Sequence, residues 1–144
     1  MQAITVKRSG YITLPKFAEF PNGDLSVLEG GRHVPFQIKR VYFVNNLSAC
    51  RVRRGNHAHR RLDQVIFCVN GSFLLGLDDG EQQCRIRMDR DNVGVRLGPG
   101  LWHTMEDFSP DCVIMVVASD VYEESDYLRN YDDFLEFLRA GGPA

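Results

Sequence analysis

The chain of 144 residues lacks the features that define several specialised classes of protein. No apolar run approaches the roughly 20 residues that a membrane-spanning helix needs, and segment 1–8 has no extended apolar stretch of the kind found in signal peptides. The net charge is only −2, which argues against bulk binding to nucleic acid. We therefore expect a protein with neither membrane nor nucleic-acid partners.

The chain also lacks closely spaced cysteines. Its four cysteines are far apart and form no Cys-x-x-Cys pair, which argues against a zinc ribbon or a redox motif. Cys68 and Cys112 lie inside apolar runs, where a thiol behaves as a small hydrophobic side chain. We expect reduced, structural cysteines and a cytoplasmic location.

The chain consists mostly of short strand-like segments. With 44% apolar and 25% charged residues, the composition predicts one globular domain over 1–144. Alternating or apolar segments separated by turn residues predict an all-β barrel over about 1–122. From 124 to about 139, apolar residues recur at steps of three and four, which predicts a short C-terminal α-helix that packs on the barrel.

The segment 112–118 is apolar on both faces, as the run Cys-Val-Ile-Met-Val-Val-Ala shows. Only one face of a barrel strand meets the barrel core, so the other face must be covered as well. An added strand or a second copy of the chain would cover it. We expect a homodimer.

The most informative segment is His57-Ala58-His59, followed by Gln64 and Gly71. Alternate residues of a strand share a face, so both histidines project into the same space. His-x-His, four residues, a carboxylate and then, six residues on, glycine is the spacing of a metal-binding cupin barrel, a jelly roll of antiparallel strands. His103, after the turn at 98–100, resembles the second half of that pattern.

Gln64 stands where the carboxylate belongs, and this replacement weakens a metal site. A divalent cation here would meet only the neutral nitrogens of His57, His59 and His103, although three-histidine sites do occur. The amide of Gln64 can instead donate and accept hydrogen bonds, which suits a sugar hydroxyl or keto oxygen. We expect no metal.

Several segments together resemble the WxcM/FdtA-like cupin family of nucleotide-sugar 3,4-ketoisomerases. The resemblance runs from Pro35 to Phe134 and includes 36–43, 54–59, 70–72, 77–80, 102–109 and 118–129. It implies that the chain moves the carbonyl of dTDP-4-keto-6-deoxyglucose from C4 to C3 without a metal or other cofactor. The 3-keto product of such enzymes usually goes to an aminotransferase that makes a 3-amino-3,6-dideoxy sugar.

The reaction implied by this resemblance needs a base that takes the C3 proton and an enediol stabilised at two oxygens. Histidine titrates near neutrality and can act as that base. The resemblance implies that His57 is the base, that His59 holds or polarises the sugar oxygens, and that Tyr42 is the proton shuttle. Tyr42 and Arg40 have the same strand parity and point the same way.

Binding residues follow from the substrate's diphosphate and sugar. The forked guanidinium donors of Arg40 and Arg54 suit the diphosphate, and Trp102 is a candidate for the pocket lining. Asn22 and His103 fall where members of the family differ with product stereochemistry at C4, and His103 resembles the galacto-forming type. We expect a 3-keto-6-deoxygalactose product.

Two other functions are compatible with the same residues. A three-histidine metal cupin, such as a dioxygenase, would require a bound metal, which metal analysis of the purified protein would detect. A non-catalytic cupin would bind a nucleotide sugar without converting it. A His57→Asn variant that keeps nucleotide-sugar affinity but loses turnover would exclude this function.

Overall fold

The computed structural model describes residues 1–143 as two five-stranded antiparallel sheets that pack face to face. The first sheet has the order β1 (Ser9–Thr13), β9 (Val93–Leu97), β6 (Gln64–Asn70), β11 (Val113–Ala118) and β4 (Arg40–Val44). The second has the order β12 (Tyr127–Leu128), β5 (Arg54–His59), β10 (Trp102–Glu106), β7 (Phe73–Asp78) and β8 (Gln83–Met88). A separate hairpin contains β2 (Lys16–Ala18) and β3 (Asp24–Ser26). The predicted all-β jelly roll is confirmed.

The space between the two sheets holds the main core. Strand alternation sends Ile66 and Cys68 of β6 inward, where they meet Phe73, Leu75 and other apolar residues of the opposite sheet. Phe73 and Leu75 have no exposed surface. Each fully buried side chain of this size stabilises the fold by about 1.5–3 kcal/mol.

The outer face of the first sheet is covered largely by the chain's own N-terminal part. Val65, Phe67 and Val117 pack there in a second core cluster with Leu14 and Val34. The apolar outer face of β11 therefore needs no partner to cover it. The edge strand β4 differs, because Val41 and Phe43 are 57% and 67% exposed.

The C-terminal helix is shorter than the predicted 124–139. A 3-10 turn (Glu124–Asp126) and β12 come first, and α1 spans Tyr131–Arg139. Asn130 ends the extended segment and caps the helix, since its side chain accepts a hydrogen bond from the backbone N–H of Asp133 at 3.1 Å. Within residues 1–143, no helix combines the length and apolar character needed to cross a membrane.

Helix α1 packs on the outer face of the second sheet. Phe134 is fully buried there against Ala58 and Leu128, with Trp102 and Leu138 at the edge of the cluster. The helix and β12 therefore hold β5, the strand that carries His57 and His59, from its outer side and its free edge.

Candidate active site

One end of the barrel interior is polar and opens into a cavity of about 300 Å³. Strands β4, β5 and β10 supply most of the polar side chains, and β12 with the residue after Leu128 supplies the rest. The polar and aromatic residues that line the cavity are Arg40, Tyr42, Arg54, His57, His103, Tyr127 and Arg129.

Three histidines meet at this end. His57 and His103 are direct partners across β5 and β10, and their ring centroids are 4.6 Å apart. The ring of His59 lies 5.0 Å from that of His57. The structure therefore brings together the histidines of both sequence motifs, although His59 is 3% exposed and lies beside a smaller pocket with Arg40.

Burial keeps these imidazoles neutral. Desolvation is the main cause that lowers the pKa of His57, with a further contribution from the charge of Arg129. It also lowers the pKa of His103, and it lowers that of His59 to about 3. A neutral imidazole near pH 7 can accept a proton, as a general base must.

The backbone sets the tautomer of His57. Its Nδ1 lies 3.0 Å from the carbonyl oxygen of Gly55, which can only accept a hydrogen bond. Nδ1 therefore carries the hydrogen and Nε2 is the free base. Gly55 has a φ of 79°, and a Cβ there would lie 2.9 Å from the carbonyl oxygen of His103, so this position requires glycine.

Tyr42 lines the cavity from the opposite sheet. Burial is the main cause that raises the pKa of its phenol, so the hydroxyl stays protonated at neutral pH. Gln64 Nε2 donates a hydrogen bond to Tyr42 Oη at 3.2 Å. Gln64 is 1% exposed and does not line the cavity itself, so the structure places it behind Tyr42 rather than at the predicted substrate contact.

Arg40 and Arg54 give the cavity positive charge. The guanidinium carbon of Arg40 lies 5.4 Å from the centre of the Tyr42 ring, and its buried Nε has no hydrogen-bond partner. Across the described part of the chain, neither arginine forms an ion pair with a carboxylate. Their charges are available to an anionic ligand.

Tyr127 and Arg129 also line the cavity, although no role was predicted for them. The Tyr127 ring lies 5.0 Å from that of His57, and the Arg129 guanidinium stacks 4.1 Å from the Tyr127 centroid. Glu124 holds Arg129 through two bonds of 2.9 Å. The spacing of two between Tyr127 and Arg129 was the available signal, but both lay within the predicted helix.

Asp126 is a buried carboxylate that the sequence analysis also missed. Its oxygens accept the backbone N–H groups of Arg61 and Leu62 at 2.8 and 3.1 Å. One oxygen lies 3.4 Å from His59 Nδ1. Asp126 therefore fixes the turn that follows β5 and lies beside its last histidine.

Two predicted binding residues lie elsewhere. Trp102 precedes His103 on β10, so it points to the outer face, where its ring lies 5.2 Å from that of Tyr131. There it borders a shallow groove of about 540 Å³ outside the barrel. Asn22 is exposed in the turn between β2 and β3 and does not line the cavity of its own chain.

The donor set does not fit a metal ion. Within residues 1–143, no three His, Cys, Asp or Glu side chains have an arrangement that could hold one. The three imidazoles pack against each other through their rings, and Gln64 supplies no negative charge.

A jelly-roll barrel with a histidine-lined polar end defines a cupin-type protein. The sequence matches the FdtA family, described as "WxcM-like, C-terminal", over residues 7–139. The chain therefore belongs to this family, and it is an enzyme of the nucleotide-sugar 3,4-ketoisomerase class.

Relatives of known function support this assignment. TDP-4-oxo-6-deoxy-alpha-D-glucose-3,4-oxoisomerase from Aneurinibacillus thermoaerophilus is 47% identical over 81% of this chain and 83% of its own. A histidine-to-asparagine variant of a 3,4-ketoisomerase from Thermoanaerobacterium thermosaccharolyticum, in complex with TDP-4-keto-6-deoxyglucose, superposes with a TM-score of 0.90 at 34% identity, over 95% and 98% of the two chains. The TDP-quinovose 3,4-ketoisomerase WlaRB from Campylobacter jejuni has a TM-score of 0.85 at 36% identity, over 91% and 99%.

Proposed function

We propose that the chain converts dTDP-4-keto-6-deoxyglucose into a dTDP-3-keto-6-deoxyhexose. The observation that carries this proposal is the cavity that Tyr42 and a neutral His57 line together, with two unpaired arginines at its wall. Two of the relatives named above support the substrate class, because their descriptions specify TDP-linked 4-keto-6-deoxyglucose.

His57 starts the reaction. Its Nε2 removes the C3 proton, the electrons of the C3–H bond form the C3–C4 double bond, and the C4 carbonyl oxygen takes a proton from Tyr42. The His57 imidazolium then gives a proton to C4, which bonds to the electron pair of the C3–C4 double bond. The hydroxyl at O3 loses its proton to the Tyr42 phenolate as the C3 carbonyl forms. The electrons stay within the sugar, so the isomerisation needs no external oxidant or reductant.

Charged groups orient the substrate in the cavity. Arg40 and Arg54 bind the diphosphate through forked hydrogen bonds. His103, adjacent to His57, faces the reacting carbons and favours protonation that gives the galacto configuration at C4. His59, whose ring lies 5.0 Å from that of His57, acts on the sugar only through His57, which it helps to hold in place.

The product and the molecule's surface suggest its setting. A 3-keto-6-deoxy sugar is a substrate for an aminotransferase that forms a 3-amino-3,6-dideoxy sugar. The free thiols suit the reducing cytoplasm.

The exposed apolar residues of β4 and of the β2–β3 hairpin support a homodimer: Phe17, Phe20, Leu25, Val41 and Phe43. Light scattering of the parent and a Phe43→Asp variant tests this, with a monomeric variant expected and a monomeric parent contradicting it.

The test of the reaction is a proton NMR time course in deuterated water with chelator-treated protein and dTDP-4-keto-6-deoxyglucose. A 3-keto product with deuterium at C4 is expected, and the H4–H5 coupling of product formed in ordinary water gives the configuration at C4. A substrate that stays unchanged until a divalent metal is added would favour a metal cupin. A substrate that binds without any conversion would favour a non-catalytic binding protein.

A further inference from the structure

Gln64 is a buried polar residue, and its position away from the cavity wall is not explained by contact with substrate. It begins β6, is 1% exposed, and does not line the cavity. Its Nε2 donates to Tyr42 Oη at 3.2 Å, whereas its Oε1 is buried without any partner. A buried amide with only one of its two ends bonded costs the fold about 1–3 kcal/mol, so its retention calls for an explanation.

The register of the first sheet creates this contact. Ala118 of β11 pairs with Arg40 of β4 on one side and with Gln64 of β6 on the other. The methyl group of Ala118 is small, which leaves room above it for the long side chains of the flanking strands. Tyr42, two residues after Arg40, shares the inward face of β4 and reaches Gln64 across this gap.

The direction of the hydrogen bond determines where the phenolic proton points. An amide N–H can only donate, so Tyr42 Oη is the acceptor in this contact. The Tyr42 hydrogen is therefore not used by Gln64 and is free to be donated into the cavity. The same N–H group stabilises the phenolate that remains after Tyr42 has given its proton away.

The energetics support the same role. Burial raises the pKa of Tyr42, and the hydrogen bond from Gln64 is the largest influence that opposes this rise. Arg40 and Arg54 act in the same direction more weakly. Gln64 thus offsets part of the cost of making a phenolate in a desolvated site.

We propose that Gln64 is a positioning residue that holds Tyr42 as a proton donor to the sugar and stabilises its phenolate during turnover. This role rests on the proposed isomerase function, in which Tyr42 is the shuttle. It also accounts for an amide at the position where metal cupins carry a carboxylate. A carboxylate would accept the Tyr42 hydrogen and draw it away from the cavity.

Two variants separate this role from simple packing. Gln64→Met keeps the length of the side chain and removes the donor, and Gln64→Glu keeps the shape and reverses the hydrogen bond. Both are compared with Gln82→Met, which changes an exposed glutamine. All assays contain a chelator, so that a new carboxylate cannot act through a bound metal.

The first readout does not depend on activity. With 3-fluorotyrosine at position 42, the fluorine chemical shift follows ionisation of this phenol alone. We expect its pKa to rise by roughly one unit or more in Gln64→Met and further in Gln64→Glu, since a hydrogen bond to a charged group is lost and then replaced by a like charge. An unchanged pKa in both variants would overturn the proposal.

The second readout is a double-mutant cycle. We expect Gln64→Met to lower kcat about tenfold or more with little change in KM, and to have no further effect in a Tyr42→Phe background. Equal effects in both backgrounds would overturn the positioning role. If Tyr42→Phe itself retains full kcat, the shuttle assignment fails instead, while the fluorine titration still decides whether Gln64 tunes the phenol.

Discussion

The two ends of the barrel interior differ in how well their buried groups are satisfied. Near the turn that joins β6 to β7, the interior contains Cys68, Phe73 and Met88, all nearly inaccessible and apolar. At the other end of the barrel, Arg40 lines the cavity, and His59 and Gln64 are buried near it. Within residues 1–143, the four buried side-chain atoms without a hydrogen-bond partner all belong to these three residues.

The fold is less stable at the polar end, where the groups needed for chemistry are buried without full hydrogen bonding. A buried polar atom without a partner destabilises a protein by about 1–3 kcal/mol. The apolar end has no such atom among the described residues, and the burial of its side chains offsets the destabilisation at the polar end. Sites adapted to bind and transform a ligand commonly show this exchange of stability for function.

The difference between the polar and apolar ends can be tested by substitution. The largest expected effect is the loss of turnover in a His57→Asn variant. Removing a general base slows a reaction by about 10²–10⁴-fold, and the substitution leaves the apolar end intact. We expect kcat to fall by that factor, while calorimetry finds the affinity for thymidine diphosphate within about threefold of the parent, a factor worth about 0.6 kcal/mol. A parallel loss of affinity and turnover would mean that His57 mainly shapes the pocket.

At the apolar end, the corresponding variant is Phe73→Ala, which should reduce stability and leave turnover unchanged. Truncating a fully buried phenylalanine destabilises a protein by about 3–5 kcal/mol through lost burial and the cavity left behind. Chemical denaturation measures this loss, with Val52→Ala as a control because Val52 is 70% exposed. The folded fraction of Phe73→Ala should keep its kcat, and a large fall in kcat would show that the two ends are coupled.

A smaller effect of opposite sign is expected from His59→Met. Methionine fills a similar volume and removes two buried nitrogens that lack partners, so the variant should be more stable by about 1 kcal/mol and less active. Thermal unfolding and the NMR assay measure the two quantities together. Destabilisation would instead show that the 3.4 Å approach of Asp126 to His59 is a stabilising ion pair.

The sequence predicted most of the architecture because alternation is a local signal. Alternating and apolar segments predicted the all-β barrel, and the inward pair of His57 and His59 follows from the period of two. The family resemblance then placed His103 and Tyr42 in the same site. Parity would also have excluded Trp102 once His103 was taken to point inward.

Non-local contacts explain what the sequence missed. Tyr127 and Leu128 fit a helical stripe as well as a strand, and their extended form depends on pairing with His59 and Ala58, about 70 residues earlier in the chain. Arg129 follows this strand and was placed in the predicted helix for the same reason. The N-terminal segment that covers β11 carries no periodic pattern that reveals which face it packs on, so either an added strand or a second copy of the chain was predicted to lie there.

The smallest expected effect is the contribution of the polar end to the pH dependence of stability and activity. The pKa values of His57, His59 and His103 are lower in the folded protein than the ordinary 6.5, chiefly through burial. Below pH 6.5 the unfolded chain therefore binds more protons than the folded one, and the free energy of unfolding must fall as the pH decreases. The acidic limb of kcat/KM should lie below pH 6.5 for the same reason, and His33→Gln, outside the cluster, should change neither profile. An acidic limb above pH 6.5 would mean that His57 is stabilised as a cation, which contradicts the desolvation that lowers its pKa.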